Sequence, residues 1–178
     1  MGLDIKELDL NSCKNLIDVS NIPEEVKKLN LNSCLKLKDI SSLGGVEDLN
    51  IALSRVSDIS SLRSVKKLTV DLLQCNITKG LDILENVDKL NLVGGYNFTA
   101  GFLNKLKASE IGVEFNNLFR DTSLLIGRHR NKVYLNACDN VMDLSPLSKI
   151  KKVHFRWMNG ITNQCINSLS KCEEVILD

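Results

Sequence analysis

Pairs of apolar residues separated by a single residue recur along the whole chain. Each pair alternates with a period of two, which predicts a short β-strand with both apolar side chains on one face. The pairs are Leu8/Leu10, Leu29/Leu31, Leu49/Ile51, Leu68/Val70, Leu90/Leu92, Ile111/Val113, Val133/Leu135, Val153/Phe155 and Val175/Leu177. Successive pairs lie 19 to 22 residues apart. This regular period indicates a repeat protein in which each repeat contributes one strand.

The pattern sets the number of strands and the extent of the domain. The predicted strands lie near residues 7–11, 28–32, 48–52, 67–71, 89–93, 110–114, 132–136, 152–156 and 174–178. No linker rich in Pro, Gly or Ser interrupts the series, so we expect a single domain over residues 1–178. A single repeat cannot bury its own apolar face, and stacking on its neighbours provides the core.

A second column of residues follows the strands. Three positions after each of the first eight pairs stand Cys13, Cys34, Ser54, Leu73, Gly95, Asn116, Cys138 and Met158. We expect the three cysteines of this column to be buried, as small apolar side chains that fill a turn. The column resembles the Asn/Cys position in the L-x-x-L-x-L-x-x-N/C-x-L phrase of leucine-rich repeats. Leu73, Gly95 and Met158 depart from the phrase and predict altered turns.

The resemblance to leucine-rich repeats covers the whole chain and implies a fold class. The fold that it implies is an α/β solenoid: a right-handed superhelix with a parallel concave sheet of about nine short strands and mostly 3₁₀ or irregular convex turns. The motif DISSL resembles the second half of the short repeats, about 21 residues long, of phosphatase-regulator-like and internalin-like proteins. The resemblance also implies a protein-interaction scaffold.

The second half of each repeat predicts turns rather than long helices. Apolar residues here are three positions apart, as in Leu37-Ile40-Leu43, and this spacing fits a 3₁₀ turn. In the recurring Asp-x-Ser phrase we expect the serine to cap the turn, with Pro146 well placed behind Ser145. Two segments, residues 99–109 and 161–172, have helical spacing and predict short α-helical turns.

Composition narrows the classes of function without selecting one. The 178 residues carry a net charge of +1 and 4% aromatic residues, which argues against a large aromatic pocket. No secretory signal is visible, and no apolar run approaches the roughly 18 residues of a membrane span. Six cysteines without such a signal predict reduced thiols and a cytoplasmic location.

No motif indicates an active site or a metal site. A cysteine nucleophile needs a histidine close by, and the chain has only His129 and His154. The cysteines recur at repeat spacing instead of the short spacing of metal ligands, and no glycine motif for phosphate is present. We therefore expect a protein that is not an enzyme and has no catalytic residue, metal site or cofactor.

Outward positions of the strands form the surface that a partner can reach. In the early repeats these positions are rich in asparagine. In the later repeats they gather charged and aromatic groups, and interface anchors are enriched in Tyr and Arg. The predicted protein-binding residues are Glu114, Tyr134, Asn136, His154 and Arg156. From the strand spacing, we expect Tyr134 beside His154, and Asn136 between Glu114 and Arg156.

The charge of this region leaves the class of partner open. Arg120 to Arg156 contains four Arg, four Lys and three Asp, which gives a net charge of +5. Such a segment fits a solvated edge, a surface for an acidic protein or a surface for nucleic acid. Nucleic acid is the least favoured of the three because few aromatic residues are available for stacking, and no membrane contact is predicted.

The alternative hypothesis is a structural or assembly protein that self-associates through uncapped solenoid ends. The first predicted strand begins near residue 7, and the last reaches residue 178 without an evident cap. An uncovered edge strand is a template for pairing with another chain. The alternative therefore predicts a homodimer through the terminal strands.

Overall fold

The computed structural model describes residues 5–72, 74–94 and 99–178. Its strands are β1 Glu7–Asp9, β2 Lys28–Asn30, β3 Asp48–Asn50, β4 Lys67–Asp71, β5 Lys89–Val93, β6 Glu110–Glu114, β7 Lys132–Asn136, β8 Lys152–Arg156 and β9 Glu174–Leu177. Two short helices, α1 (Ala100–Leu103) and α2 (Asn163–Asn167), lie in the segments with helical spacing. Nine parallel strands joined by short turns confirm the predicted leucine-rich repeat solenoid.

Contacts between residues divide the chain into two compact units, and the first unit is Met1–Val87. Strands β1 to β4 pair in parallel and in chain order within it. The apolar pairs stay in register, so that Leu29 lies opposite Leu8 on one side and Leu49 on the other. Leu29 and Leu49 are fully buried, and the stacked leucines form the core of this unit.

The second unit is Asp88–Asp178 and contains β5 to β9. These strands also pair in parallel and in chain order. Val133 lies between Ile111 and Val153 in the register, and all three side chains are buried. The single domain over residues 1–178 stays a prediction.

Strands β1 to β3 are only 3 residues long and end two residues earlier than predicted. The Oδ1 atoms of Asp9, Asn30 and Asn50 accept the N–H of the residue two positions ahead, at 2.8, 3.2 and 3.1 Å. In β2 and β3 this local bond takes an N–H that would otherwise point to the preceding strand.

The residue before the cysteine column reverses the chain in a left-handed conformation. This left-handed turn position is occupied by Ser12, Ser33, Leu53, Gly94, Phe115, Ala137 and Trp157, with φ from 48° to 91°. A residue with a side chain loses about 1–2 kcal/mol in this conformation, whereas glycine does not. The repeat turn fixes this backbone geometry whichever residue occupies it.

Cysteines of the turn column pack against the preceding repeat. Cys34 and Cys138 are fully buried, as predicted. Their Sγ atoms lie 3.3 Å from the carbonyl oxygen of Leu10 and 3.4 Å from that of Val113. Burial raises the pKa of the Cys138 thiol to about 11. The prediction for Cys13 is wrong, because that side chain is exposed and no earlier repeat within the described residues covers it.

The fourth repeat places its cysteine later than the sequence pattern suggests. The Sγ atom of Cys75 lies 3.4 Å from Oγ of Ser54, the column residue of the third repeat. Asp71 accepts the N–H of Gln74 on its side chain and that of Cys75 on its carbonyl oxygen, at 2.9 and 3.0 Å. This wider turn inserts two residues and makes Cys75 the column residue.

The three predicted departures from the turn phrase differ in outcome. Leu73 and Gly95 lie outside the described residues. At Met158 the thioether sulfur accepts the N–H of Cys138 at 3.3 Å, so that the side chain contacts the turn of the previous repeat. A long flexible residue thereby fills a position that cysteine or asparagine occupies elsewhere.

The second halves of the repeats contain 3₁₀ turns, as predicted. They lie at Ser41–Leu43, Leu81–Asn86, Thr122–Leu125 and Ser145–Lys149. The expectation that serine caps these turns is wrong, because aspartate is the acceptor. The N–H groups of Ser41, Ser60 and Ser145 donate to the carboxylates of Asp39, Asp58 and Asp143 at 2.8 to 2.9 Å. Hydrogen bonds from these serines lower the pKa of all three aspartates.

Arg130 is buried in the second unit without a carboxylate partner among the described residues. Its Nε, Nη1 and Nη2 atoms donate to the carbonyl oxygens of Ala108, Leu125 and Leu106, at 2.9, 3.2 and 3.4 Å. Burial lowers the pKa of its guanidinium to about 10. The side chain joins the turn after α1 to the turn of the next repeat.

Candidate protein-binding site

Tyr134 and His154 occupy the centres of β7 and β8 and face each other in the register. Their ring centroids are 4.9 Å apart, and the ring planes make an angle of 58°. Nε2 of His154 lies 2.7 Å from Oδ2 of Asp178. The predicted adjacency of Tyr134 and His154 is observed, whereas their role in binding stays a prediction.

Glu114 ends β6 and is held by two amides. Nδ2 of Asn136 donates to its Oε2 at 2.8 Å, and Nδ2 of Asn91 donates to its Oε1. Asn136 is only 3% exposed, so the prediction that its amide lies on the accessible surface is wrong. The buried amide of Asn136 instead holds the carboxylate of Glu114 in place through this hydrogen bond.

Gly112 provides the space for this arrangement. A Cβ atom at this position would collide with Oδ1 of Asn91 and lie 3.3 Å from Cδ1 of Tyr134. The absence of a side chain therefore lets Asn91 of β5 lie over Gly112 and reach Glu114 at the end of β6. The part played by Asn91 is absent from the sequence prediction, because strand spacing gives neighbours but not the direction of a long side chain.

Arg156 is the exposed cation of the site. Its Cζ atom lies 4.5 Å from the centroid of the Trp157 ring, which is a cation–π contact. Burial and the charge of Glu114 raise the pKa of Tyr134, whereas a hydrogen bond with Arg156 opposes that rise. Within the described residues Arg156 forms no ion pair, since Glu114 is bonded to amides and Asp178 to His154.

Two exposed aromatic residues beside the site escaped the sequence prediction. Phe115 is 52% exposed and Trp157 is 56% exposed. Both occupy the left-handed turn position, where the first two repeats have serine. The signal that could have found them is this change of residue type at a position one step after the strand.

The strand face of the first unit has a different character. A shallow depression of about 350 Å³ there is lined by charged and amide side chains of β1 to β4. Four of its five charged residues are paired across the strands, with Lys28 3.0 Å from Glu7 and Lys67 3.0 Å from Asp48. The fifth, Asp9, accepts the backbone N–H of Asn11.

Two classes of site can be assessed directly. In residues 5–72, 74–94 and 99–178, no group of three or more His, Cys, Asp or Glu side chains is placed to hold a metal ion. In the same part of the chain, no helix has both the length and the apolar character needed to cross a membrane.

Solved structures with this architecture are leucine-rich repeat proteins. The chain is similar to the leucine-rich repeat-containing protein LegL7 from Legionella pneumophila, with a TM-score of 0.52 and 16% identity over 96% of this chain and 82% of that one. It is also similar to an internalin, InlF, from Listeria monocytogenes, with a TM-score of 0.53 and 21% identity over 90% of this chain and 51% of that one. No protein-family model and no curated protein sequence matches the chain. The comparisons therefore show the leucine-rich repeat fold alone.

Proposed function

We propose that this chain is a non-enzymatic protein-binding module that uses the outward face of β6 to β8. The observation that supports it is a cluster of Tyr134, His154 and Arg156 beside the fixed carboxylate of Glu114. Tyrosine and arginine are the residue types most often found as anchors of protein interfaces. These groups are held in place before binding, so fewer side chains have to be ordered and the entropic cost of binding is smaller.

The charge of the cluster favours a protein epitope over nucleic acid. Arg156 carries a positive charge with no ion pair within the described residues, and it can accept a carboxylate in the two-pronged geometry of guanidinium. The carboxylates of Glu114 and Asp178 stand close by and would repel a continuous row of phosphates. A protein surface that offers a single carboxylate to Arg156 satisfies both conditions.

The test is a double substitution of the two anchors. Partners recovered from the native host by the parent protein should bind Tyr134→Ala/Arg156→Ala more weakly, by several kcal/mol at most. Thermal unfolding should stay nearly unchanged, because neither side chain belongs to the buried core. Arg63→Ala removes an exposed arginine from the first unit and is the matched control.

The outcome of this test can place the site elsewhere. A partner that binds the double variant as tightly as the parent contradicts the proposal. If the same partner is lost with Asn30→Ala/Asn50→Ala, the binding face lies on β2 and β3 instead.

Self-association is the second candidate function, and the exposure of β9 favours it. Val175, Ile176 and Leu177 are 36%, 36% and 51% exposed, so an apolar strand lies open to pairing. Light scattering after size exclusion should then show a dimer that dissociates on dilution. A monomer at every concentration rules this candidate out.

An intracellular location belongs to the same proposal. All six cysteines are free thiols, as a reducing compartment would keep them. Cell fractionation with an antibody against the chain tests the location, and recovery from the culture medium contradicts it.

A further inference from the structure

Phe115, Ala137 and Trp157 form a row of left-handed turn positions at the end of β6, β7 and β8. The N–H groups of Phe115 and Ala137 donate to the carbonyl oxygens of Asn136 and Arg156, the residues just before the next members of the row, at 2.8 and 3.0 Å. Their φ angles are 51°, 49° and 48°, so the three residues share one conformation at equivalent points of adjacent repeats. We call this row the aromatic notch.

The notch has two aromatic walls and a small floor. Adjacent parallel strands are roughly 4.8 Å apart, so the Phe115 and Trp157 positions are separated by roughly 10 Å, with a methyl group between them. A gap of this width accepts one side chain of a partner in contact with both rings. Ala137 is itself only partly exposed, which makes it the base of the gap.

The two aromatic residues are not explained by packing. Both are more than half exposed, so neither contributes a buried side chain to the core. Both occupy the left-handed turn position that serine, leucine and alanine occupy in other repeats, so the turn itself does not require an aromatic residue there. The contact of Arg156 with the Trp157 ring places a positive charge on one wall.

We propose that the aromatic notch binds a large apolar side chain of a partner protein, next to an acidic residue that pairs with Arg156. This inference rests on the proposed function and specifies the partner as an acidic, apolar segment. Charge complementarity selects that occupant, because Arg156 is exposed beside the notch and has no ion pair in the described chain.

Trp157 provides a direct probe because it is the only tryptophan in the chain. A phage-displayed library of random dodecapeptides is selected on the immobilised protein, and the enriched peptides are synthesised with a fluorescein label. The proposal expects enriched sequences with a large apolar residue beside Asp or Glu. Binding of unlabelled peptide should shift Trp157 emission to shorter wavelength and protect it from acrylamide quenching.

Ala137→Leu is the most selective variant, because it fills the notch without removing an aromatic ring or a charge. It should weaken peptide binding by at least about tenfold, measured as fluorescein anisotropy, and Phe115→Ala should do the same. Leu53→Ala, at the equivalent turn position of the first unit, is the matched control and should bind like the parent. Leu53 also shows that this turn position accommodates leucine.

The outcomes separate this inference from the proposed function. Peptides lost with Tyr134→Ala/Arg156→Ala but retained by Ala137→Leu and Phe115→Ala leave the function standing and overturn the notch. Peptides retained by all these variants overturn both. Failure to enrich acidic, apolar sequences, or displacement of bound peptide by a single-stranded oligonucleotide, also overturns the inference.

Discussion

Asparagines in the strands of the first unit bond to their own backbone, whereas those in the strands of the second unit bond to a glutamate on a neighbouring strand. Asn30 and Asn50 each accept a backbone N–H two residues ahead. Asn136, by contrast, donates to the carboxylate of Glu114 on the neighbouring strand. The same residue type therefore ends a strand in one unit and builds a surface cluster in the other. The two roles use different atoms of the amide: Oδ1 accepts the backbone N–H in Asn30 and Asn50, whereas Nδ2 donates to the carboxylate in Asn136.

The interiors differ in the charge that they bury. The first unit buries Asp71, whose carboxylate accepts the N–H of Gln74 at the widened turn. The second unit buries Arg130, which donates to three carbonyl oxygens. Each charged group satisfies backbone atoms that an irregular turn leaves without a partner. Irregular repeats are thus stabilised by different chemistry in the two units.

Removing the buried cation of the second unit should cause the largest loss of stability among the variants that compare the two units. In Arg130→Met three carbonyl oxygens lose their donor, and we expect a loss of about 3 kcal/mol or more in the free energy of unfolding. Hydrogen exchange should show that β6 and β7 lose protection more than β2 and β3. Arg55→Ala, an exposed arginine of the first unit, is the control. A loss below about 1 kcal/mol would show that water replaces the guanidinium at no cost.

Cysteine substitutions should have intermediate effects in both units. Cys34→Ser and Cys138→Ser each place a hydroxyl where a buried thiol stood and should cost on the order of 1–3 kcal/mol in urea unfolding. Cys13→Ser should be nearly neutral, because Cys13 is exposed.

Alkylation gives an independent check on the same cysteines. Mass spectrometry after brief treatment of folded protein should find Cys13 modified and Cys34, Cys75 and Cys138 intact. Rapid modification of Cys138 would contradict its burial and its raised pKa, since few molecules carry the reactive thiolate at neutral pH.

Acid should destabilise the first unit more than the second through the aspartate turns. Hydrogen bonds from serine hold the folded pKa of Asp18, Asp39 and Asp58 below the ordinary value of 3.8. Their stabilisation is present above about pH 4 and is lost as the pH falls through the folded pKa. In Asp39→Asn/Asp58→Asn the acceptor remains but cannot titrate, so the acid transition should flatten.

Circular dichroism against pH measures that transition, with Asp143→Asn in the second unit for comparison. An unchanged acid transition in the double variant would assign the pH dependence to other carboxylates.

Reversing one exposed charge should give the smallest effect. Nζ of Lys28 donates a hydrogen bond to Oε2 of Glu7 at 3.0 Å, and this bond raises the pKa of the Lys28 ammonium group. Lys28→Glu places three negative charges in adjacent strands, beside Glu7 and Asp48, and should slightly lower the urea midpoint. Added salt should restore the midpoint, because screening weakens repulsion between exposed charges. A decrease that persists at high salt has another cause.

Sequence periodicity was sufficient for the positions of strands and for lateral neighbours such as Tyr134 and His154. It rests on the fixed spacing of apolar residues, which a parallel sheet preserves. It was insufficient where a side chain chooses between local and distant partners, as Asn91 and Asn136 do. It also missed the widened turn that moves the cysteine column to Cys75 and the burial of Arg130, because neither alters the apolar pattern.

The charges at the beginning of the first four strands have a consequence for folding. Leucines cannot distinguish a correct neighbour from one reached by skipping a repeat, because every strand presents the same apolar pair. The starting residues alternate in sign along β1 to β4, and they are Glu7, Lys28, Asp48 and Lys67. If β1 paired with β3, two acidic residues would face each other, and if β2 paired with β4, two lysines would. The alternation of charge therefore disfavours the pairing of strands that are not consecutive in the chain.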